Sequence, residues 1–303
     1  VLVQGIIDVF WEEEDGIVVL DYKTDRVKTA EELLARYRAQ LLLYGEALER
    51  AFERYPDCRC VIAANLYGTP AKLDEIRDIC DAHGAVFIED AAESLSATYK
   101  GRQTGTFGQY NALSFNGNKI ITTGAGGAVV SNHADWAEHA KHLSTQAKAD
   151  MLQFLHDEVG YNYRMTNVQA SLGIAQLERL EGFIAHKKAL YDRYAAALDG
   201  VKGLRILPFR EEACRSNHWF FSLYVKDAGL DRDTVIEKLQ AQQIQTRPVW
   251  ALIHEQADYP RNEAYGLDKA LDYRKYIVNL PCSTNLSMED CDRVIDAVLG
   301  LLK

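Results

Sequence analysis

Ala85-Val86-Phe87-Ile88-Glu89-Asp90 is the stretch that decides the fold. Its apolar run ends in two acidic residues, which is typical of a buried strand that leads out to a polar edge of a sheet. Apolar residues from Val61 to Leu66 precede it, and a helical pattern from Leu73 to His83 lies between the two. A strand, a helix and a second strand in this order form a βαβ unit. The sequence therefore predicts an α/β fold with a parallel or mixed sheet and flanking helices.

After this unit, apolar residues continue to recur both in short strand-like runs and at helical spacing. In the middle of the chain this pattern predicts strands at 112–115 and 127–130 and helices at 166–180 and 182–198. Towards the C-terminus it predicts a smaller α+β domain, with strands near 204–207 and 218–225 and helices at 231–242 and 288–302. The Gly124-Ala-Gly-Gly127 loop lacks a following helix pattern, so a tight turn is favoured over a phosphate cradle.

Lys119 is the most informative single residue, because it follows the run Ser114-Phe-Asn-Gly-Asn118 and lies downstream of Asp90. Pyridoxal phosphate (PLP) chemistry needs a lysine amine to form a Schiff base and a carboxylate to keep the pyridine nitrogen protonated. Asp90 ends a strand where ligands of open α/β sheets bind, and the Ser114 hydroxyl could donate to the cofactor phosphate. Taken singly, such a lysine is usually a solvated loop residue and such an aspartate is often a helix cap.

A series of motifs in one order strengthens the PLP interpretation. They are Leu66-Tyr-Gly-Thr-Pro70, Glu89-Asp-Ala-Ala-Glu-Ser94, Tyr99-Lys-Gly-Arg102, Gly105-Thr-Phe-Gly108, residues 114–127 and Gly160-Tyr-Asn-Tyr-Arg164. From about Ala51 to the C-terminus the chain closely resembles the DegT/StrS family of PLP-dependent sugar-nucleotide aminotransferases. The resemblance implies an incomplete fold-type I PLP-transferase fold.

Motifs further along resemble one branch of this family. They are Ser114 to Gly124, Asn217-His-Trp219, Gln245-Thr-Arg-Pro-Val-Trp250 and Leu280-Pro-Cys-Ser-Thr-Asn-Leu286. That branch aminates C4 of nucleotide-linked 4-keto-6-deoxy sugars. The partners implied are therefore a nucleotide sugar and an amino donor, usually glutamate.

The same resemblance implies roles for particular residues. Lys119 would be the Schiff-base lysine and proton shuttle, and Asp90 the partner of the pyridine nitrogen. Glu93 would lie beside the phenolic oxygen of the cofactor, and Ser114 would bind its phosphate. Asn162 would reach the phosphate of a cofactor held by the partner subunit of a homodimer.

Two further residues are placed near the sugar nucleotide by the resemblance. They are Arg247 and His254. For His254 a surface histidine in a polar loop is an equally good interpretation.

The segment that opens the large domain in this family has no counterpart before Ala51. In the family it supplies backbone amides for the phosphate and an aromatic ring that stacks on the cofactor. We therefore expect the activity to be impaired by truncation.

A different pattern occupies the front of the chain. Residues 1–11 and 16–22 predict a β-hairpin, and residues 31–54 predict an amphipathic helix. Asp8 and Asp21 would then lie on adjacent strands, where carboxylates bind Mg²⁺, with Lys23 beside them.

Residues 1–48 resemble the nuclease domain of AddA/RecB-type helicase-nucleases, a restriction-like nuclease fold. The resemblance implies that Asp8 and Asp21 are metal ligands, that Lys23 is the catalytic lysine, and that Gln40 and Tyr44 form a supporting helix motif. The alternative functions are thus a Mg²⁺-dependent DNA exonuclease and an inactive chimera. The domain boundaries expected are 1–50 for the nuclease-like fragment, 51–180 for the PLP-binding domain and 181–303 for the small domain.

Composition limits the classes of function. The 303 residues are 48% hydrophobic and 26% charged, with a net charge of −10. The negative charge argues against a nucleic-acid-binding surface over the whole molecule. The apolar runs are too short for a membrane span, no signal peptide opens the chain, and the six cysteines are scattered. A cytoplasmic protein with reduced thiols is expected.

Overall fold

The computed structural model describes residues 59–209, 213–257 and 266–302, together with the backbone of two strands near the N-terminus. The strands are β1 (Ile6–Glu13), β2 (Gly16–Tyr22), β3 (Cys60–Ala64), β4 (Val86–Asp90), β5 (Thr98–Tyr99), β6 (Arg102–Gln103), β7 (Tyr110–Ser114), β8 (Gly127–Val130), β9 (Lys148–Asp150), β10 (Leu155–His156), β11 (Arg205–Ile206), β12 (Cys214–Arg215), β13 (Phe221–Tyr224), β14 (Arg247–Pro248) and β15 (Ile277–Leu280). The helices are α1 (Leu73–His83), α2 (Ala134–Ser144), α3 (Asn167–Leu177), α4 (Leu180–Leu198), α5 (Arg232–Ala241), α6 (Asp268–Tyr276) and α7 (Met288–Gly300).

The first sheet confirms the predicted α/β pattern. Its strand order is β3-β4-β7-β8, with β3, β4 and β7 parallel and β8 antiparallel to β7. Helix α1 covers one face, where Leu73, Ile76 and Cys80 pack against Val61 and Phe87. The glycine-rich loop turns directly into β8, so the tight-turn interpretation of residues 124–127 is confirmed.

The second sheet is antiparallel, with strand order β11-β13-β15-β14. Helices α4, α5 and α7 cover it, and the core between them includes Leu190, Tyr194, Phe221, Leu239 and Val294, each at most 2% exposed. Burying a side chain of this size stabilises a fold by roughly 1.5–3 kcal/mol. This packing is the main support of the C-terminal part of the chain.

A third apolar cluster lies between the two sheets. Tyr67, Ile120, Ile121, Ile184 and Trp219 form it. Since Ile120 and Ile121 directly follow Lys119, the cluster anchors the lysine-bearing loop against the C-terminal part of the chain.

The N-terminal hairpin is confirmed at the level of the backbone, where β1 and β2 pair antiparallel with a register shift between Ile7 and Val9. The predicted helix at 31–54 lies outside the described residues. Within the described part of the chain, no helix combines the length and the apolar character needed to cross a bilayer.

Candidate functional site

Two predicted cofactor residues lie at the same edge of the first sheet. Asp90 is the last residue of β4 and Ser114 the last of β7. The strands are parallel neighbours, and Asp90 pairs with Ala112, two residues before Ser114. The Ala92 N–H donates to Asp90 Oδ1 at 3.0 Å, and the Asn116 N–H donates to Ser114 Oγ at 3.3 Å. The carboxylate and the hydroxyl are therefore held close together at the carboxyl edge.

Lys119 lies in the loop that follows β7, and its side chain is only 12% exposed. Its Nζ lies 3.6 Å from Glu93 Oε1 and 4.4 Å from the centre of the Trp219 ring. The Trp219 Nε1–H donates to the carbonyl of Asn118 at 2.8 Å, so the ring also holds the lysine loop. The structure thus places the lysine amine between a carboxyl group and an aromatic face.

Glu93 is held in place from two directions. Its Oε2 accepts a hydrogen bond from the Tyr67 N–H at 2.7 Å, and its Oε1 faces Lys119. Burial raises the pKa of Glu93 to about 7, although the Tyr67 N–H and the Lys119 charge both act to lower it. The charge of Asp90 adds to the increase. Glu93 can therefore change protonation near neutral pH, within reach of the lysine amine.

The raised pKa makes Glu93 a source of pH-dependent stability. The folded chain holds this proton up to about pH 7, whereas the ordinary carboxyl pKa is 4.5. The stabilisation is therefore complete below pH 4.5 and is lost as the pH rises through 7. For the cofactor-free chain, we expect Glu93→Gln to gain stability relative to wild type over this interval, by up to roughly 3 kcal/mol.

Urea unfolding at pH 5 and pH 8 measures this difference in the free energy of unfolding. Glu237→Gln, an exposed position on α5, is the matched control and should not alter the pH dependence. Parallel pH profiles for wild type and Glu93→Gln would contradict the assignment.

Lys119 also lines a large cavity of about 890 Å³. Arg247, Arg274 and Asn279 line it too. The structure therefore brings the predicted substrate residue Arg247 into the cavity of the lysine. His254 does not line this cavity. It lies in the turn Ile253–Glu255, three residues after the lining residue Ala251. Its Nδ1 is buried without a hydrogen-bond partner among the described residues.

Asn162 is exposed and lies apart from the Lys119 cluster. Its backbone forms an isolated antiparallel bridge with Thr145. In the described ranges, no hydrogen bond links its side chain to Lys119, Glu93 or Asp90 of the same chain. A role at this site within one chain is therefore not supported by the geometry.

The nuclease-like residues are not brought into a described site. Asp8 and Asp21 lie on β1 and β2, where Asp21 pairs with Ile7, but only the backbone is described. Lys23, Gln40 and Tyr44 lie outside the described residues.

Three polar residues that support the site were not predicted from the sequence. Asn217 Nδ2 donates to the carbonyls of Glu93 and Leu95 at 2.8 and 3.0 Å. A Cβ at Gly68 would lie 1.9 Å from Asn217 Oδ1, so glycine is required there. Asn279 Nδ2 donates to the Tyr67 hydroxyl at 3.1 Å.

The third is Glu89, which is fully buried and accepts hydrogen bonds from the Gly105 and Phe107 N–H groups at 2.7 and 2.9 Å. Asn65 Nδ2 donates to it as well, at 2.8 Å. The sequence motifs that contain Glu89 and Asn217 marked both residues. Their hydrogen-bond partners lie far away in the sequence, so the motifs did not predict these contacts.

Comparisons with known proteins identify the family of the chain. The DegT/DnrJ/EryC1/StrS aminotransferase family matches residues 38–299. The chain is 40% identical over 263 residues to the putative pyridoxal phosphate-dependent aminotransferase EpsN of Bacillus subtilis (strain 168), covering 84% of this chain and 67% of the relative. It is 32% identical over 241 residues to GDP-perosamine synthase of Escherichia coli O157:H7, covering 79% of this chain and 65% of the relative.

Among solved structures, a DegT DnrJ EryC1 StrS aminotransferase from Brucella abortus superposes with a TM-score of 0.76 at 26% identity, covering 86% of this chain and 69% of that one. This likeness supports the fold-type I aminotransferase fold. The chain belongs to the DegT/DnrJ/EryC1/StrS aminotransferase family. It spans about two thirds of the length of these relatives. The nuclease resemblance of residues 1–48 has no support in these comparisons.

The residues present fit pyridoxal phosphate. Asp90 Oδ2 accepts no hydrogen bond from the described part of the chain, so it can accept one from a pyridine N–H. The Ser114 hydroxyl donates to no described atom and can donate to a phosphate oxygen. Lys119 supplies the amine that the aldehyde requires.

Proposed function

We propose that the chain is the PLP-dependent catalytic part of an aminotransferase that transfers an amino group from glutamate to a nucleotide-linked 4-keto-6-deoxy sugar. The observation that carries the proposal is Lys119, whose amine lies 3.6 Å from Glu93 Oε1 and lines the large cavity. Asp90 and Ser114 end neighbouring strands at the adjacent sheet edge. Pyridoxal phosphate is consistent with the family.

When bound, pyridoxal phosphate supplies an aldehyde and an electron-withdrawing ring. The Asp90 carboxylate would hold the pyridine nitrogen protonated, and the Ser114 hydroxyl would orient the phosphate. Lys119 Nζ would take the proton from the α-carbon of the amino donor. Glu93 and Trp219 hold the amine in place, with Nζ 3.6 Å from Glu93 Oε1 and 4.4 Å from the centre of the Trp219 ring.

The cavity supports a nucleotide sugar as the amino acceptor. Its volume of about 890 Å³ suits a ligand of this size. Arg247 supplies a guanidinium group, which recognises phosphate oxygens well, whereas Arg274 Nε is already paired with Glu255 Oε2 at 3.2 Å. The name of the Escherichia coli relative, GDP-perosamine synthase, refers to a GDP-linked sugar. His254 remains a proposed substrate residue that would act from the cavity rim.

Turnover with defined substrates tests the proposal. The chain would be incubated with PLP, glutamate and the GDP-, UDP- or dTDP-linked 4-keto-6-deoxy sugar, and the products analysed by mass spectrometry. We expect an aminated nucleotide sugar from at least one of them, together with 2-oxoglutarate. Cofactor binding without any aminated product would contradict the substrate, whereas absence of cofactor binding would contradict the enzyme class.

We further propose a homodimer in which Asn162 reaches the cofactor of the partner subunit. None of the 11 residues of α3 is buried by the residues that the structure describes. Its apolar side chains include Val168 and Ile174, which are 74% and 60% exposed, and Tyr163 nearby is 75% exposed. A continuous exposed apolar surface of this kind is typical of an interface between chains.

Light scattering should give twice the chain mass of 34.1 kDa. Mixing the Lys119→Ala chain with the Asn162→Ala chain should restore activity, because hybrid dimers then contain one complete site. A monomer, or mixing without recovery, would contradict the shared site.

A further inference from the structure

Two histidines on one helix face two acidic residues of the following hairpin segment. Helix α2 carries His139 and His142, which lie three residues apart and so on the same side. Asp157 and Glu158 directly follow β10. His142 Nε2 lies 2.7 Å from Asp157 Oδ1 and 4.0 Å from Glu158 Oε1. His139 Nε2 lies 3.0 and 3.1 Å from the two oxygens of Glu158.

The spacing of these atoms suits a transition-metal ion. One ligand atom each from His142, Asp157 and Glu158 lies within 4.8 Å of the others. In a tetrahedral zinc site, bonds of about 2.0–2.2 Å place neighbouring ligand atoms roughly 3.3 Å apart. Small rotations of these three side chains, which are 27%, 53% and 46% exposed, would bring the distances to that value. Imidazole nitrogen and carboxylate oxygen are both ligands that Zn²⁺ accepts.

His139 has a separate part in this arrangement. It contacts both oxygens of Glu158, whereas only Oε1 of Glu158 approaches His142. With a metal bound through Oε1, His139 can keep its hydrogen bond to Oε2 and so orient the carboxylate. Such hydrogen bonds to ligating side chains commonly tune metal affinity.

We propose that His142, Asp157 and Glu158 form a binding site for Zn²⁺, with His139 as the residue that positions Glu158. All of these groups are reachable from solvent, with Asp157 53% exposed and His142 27% exposed. The site is independent of the aminotransferase proposal, because none of its residues lines the Lys119 cavity.

The ion would fasten the segment that precedes Gly160 to helix α2. That segment is already packed closely, since a Cβ at Gly160 would lie 2.3 Å from the carbonyl carbon of Gln146. The Tyr161 carbonyl accepts a hydrogen bond from the Gln146 N–H at 2.9 Å. Zn²⁺ would therefore stabilise the position of residues 160–164, which include Asn162.

Isothermal titration of ZnCl₂ into the full chain, purified without a histidine tag and freed of metal, tests the proposal. We expect one equivalent to bind with micromolar or tighter affinity. His142→Ala and Asp157→Asn should each abolish this event, and His139→Ala should weaken it roughly 10–100-fold. His156→Gln is the matched control, because His156 is adjacent and its Nδ1 contacts the Gln146 carbonyl instead.

Thermal unfolding gives a second readout that separates folding defects from lost ligands. ZnCl₂ should raise the Tm of wild type and His156→Gln but not that of His142→Ala or Asp157→Asn. Circular dichroism of each variant establishes that it is folded. Failure of the wild type to bind Zn²⁺, or binding that survives in a folded His142→Ala chain, would overturn the proposal.

Discussion

Lys119→Ala is expected to lower kcat for amino transfer by roughly 10⁴-fold or more, because the change removes both the covalent attachment group and the proton carrier. Among the residues that the structure describes, no other lysine pairs with Glu93 or lies over the Trp219 ring. The variant should still fold, since its backbone N–H keeps the hydrogen bond to the Asn116 carbonyl. Steady-state turnover with the preferred nucleotide sugar, at saturating glutamate and PLP, measures the effect.

Lys187 supplies a matched control for this experiment. It is 3% exposed, lines the same cavity, and burial lowers its pKa. Its Nζ, however, donates to the carbonyl of Cys282 and lies over the Phe221 ring, so the amine is already engaged. We expect Lys187→Gln to retain most of the wild-type kcat. A large loss in Lys187→Gln with little loss in Lys119→Ala would transfer the catalytic role to Lys187.

Asp90→Asn is expected to lower kcat by about 10²–10³-fold, comparable with the removal of one preorganised electrostatic contact from an active site. The neutral amide cannot hold the pyridine nitrogen protonated, so charge developing on the substrate carbon is stabilised less. The fold should tolerate the change, because the amide oxygen can still accept the hydrogen bond from Ala92. The kcat of the variant, with the KM for glutamate determined in parallel, tests this.

Asp81→Asn is the control for Asp90→Asn, because Asp81 is exposed near the end of α1. It should have wild-type kcat. If Asp90→Asn retained wild-type kcat under the same conditions, Asp90 would not be the partner of the pyridine nitrogen.

Sequence periodicity predicted those elements that bury an apolar stripe. The bounds of α1 agree with the prediction of 73–83, because Leu73, Ile76 and Cys80 recur at helical spacing against the sheet. The structure places α2 at Ala134–Ser144, where no helix was predicted, and none of its described residues is buried. Its apolar residues Trp136, Ala140 and Leu143 recur at helical spacing but are only partly buried, so they are a weaker signal than the buried stripe of α1.

Strand β15 was missed for a different reason. Ile277–Leu280 follows α6 without an intervening turn residue, so a four-residue buried run merges with the preceding helix in the sequence. The structure places it between β13 and β14, inside the second sheet. Its fully buried pattern became clear only once both neighbours were present.

The sequence predicted the position of those site residues that lie at the ends of predicted strands. Asp90 could be placed at the ligand-binding edge because it ends a predicted strand, and Ser114 lies near the end of another predicted strand. Trp219 contacts a lysine 100 positions earlier in the chain, and no local pattern predicts that contact. The approach of the α2 histidines to the carboxylates of residues 157–158 was missed as well. No local pattern predicts it, because the chain must turn back between the two segments.

The most direct test of the central claim is to locate the lysine that reacts with pyridoxal phosphate. The purified chain would be mixed with PLP, its visible absorbance recorded before and after borohydride, and the labelled peptide identified by mass spectrometry. We predict a visible band that borohydride removes, a label on Lys119, and neither in the Lys119→Ala chain. A label on Lys187, or a wild-type chain without a band or label, would contradict the account.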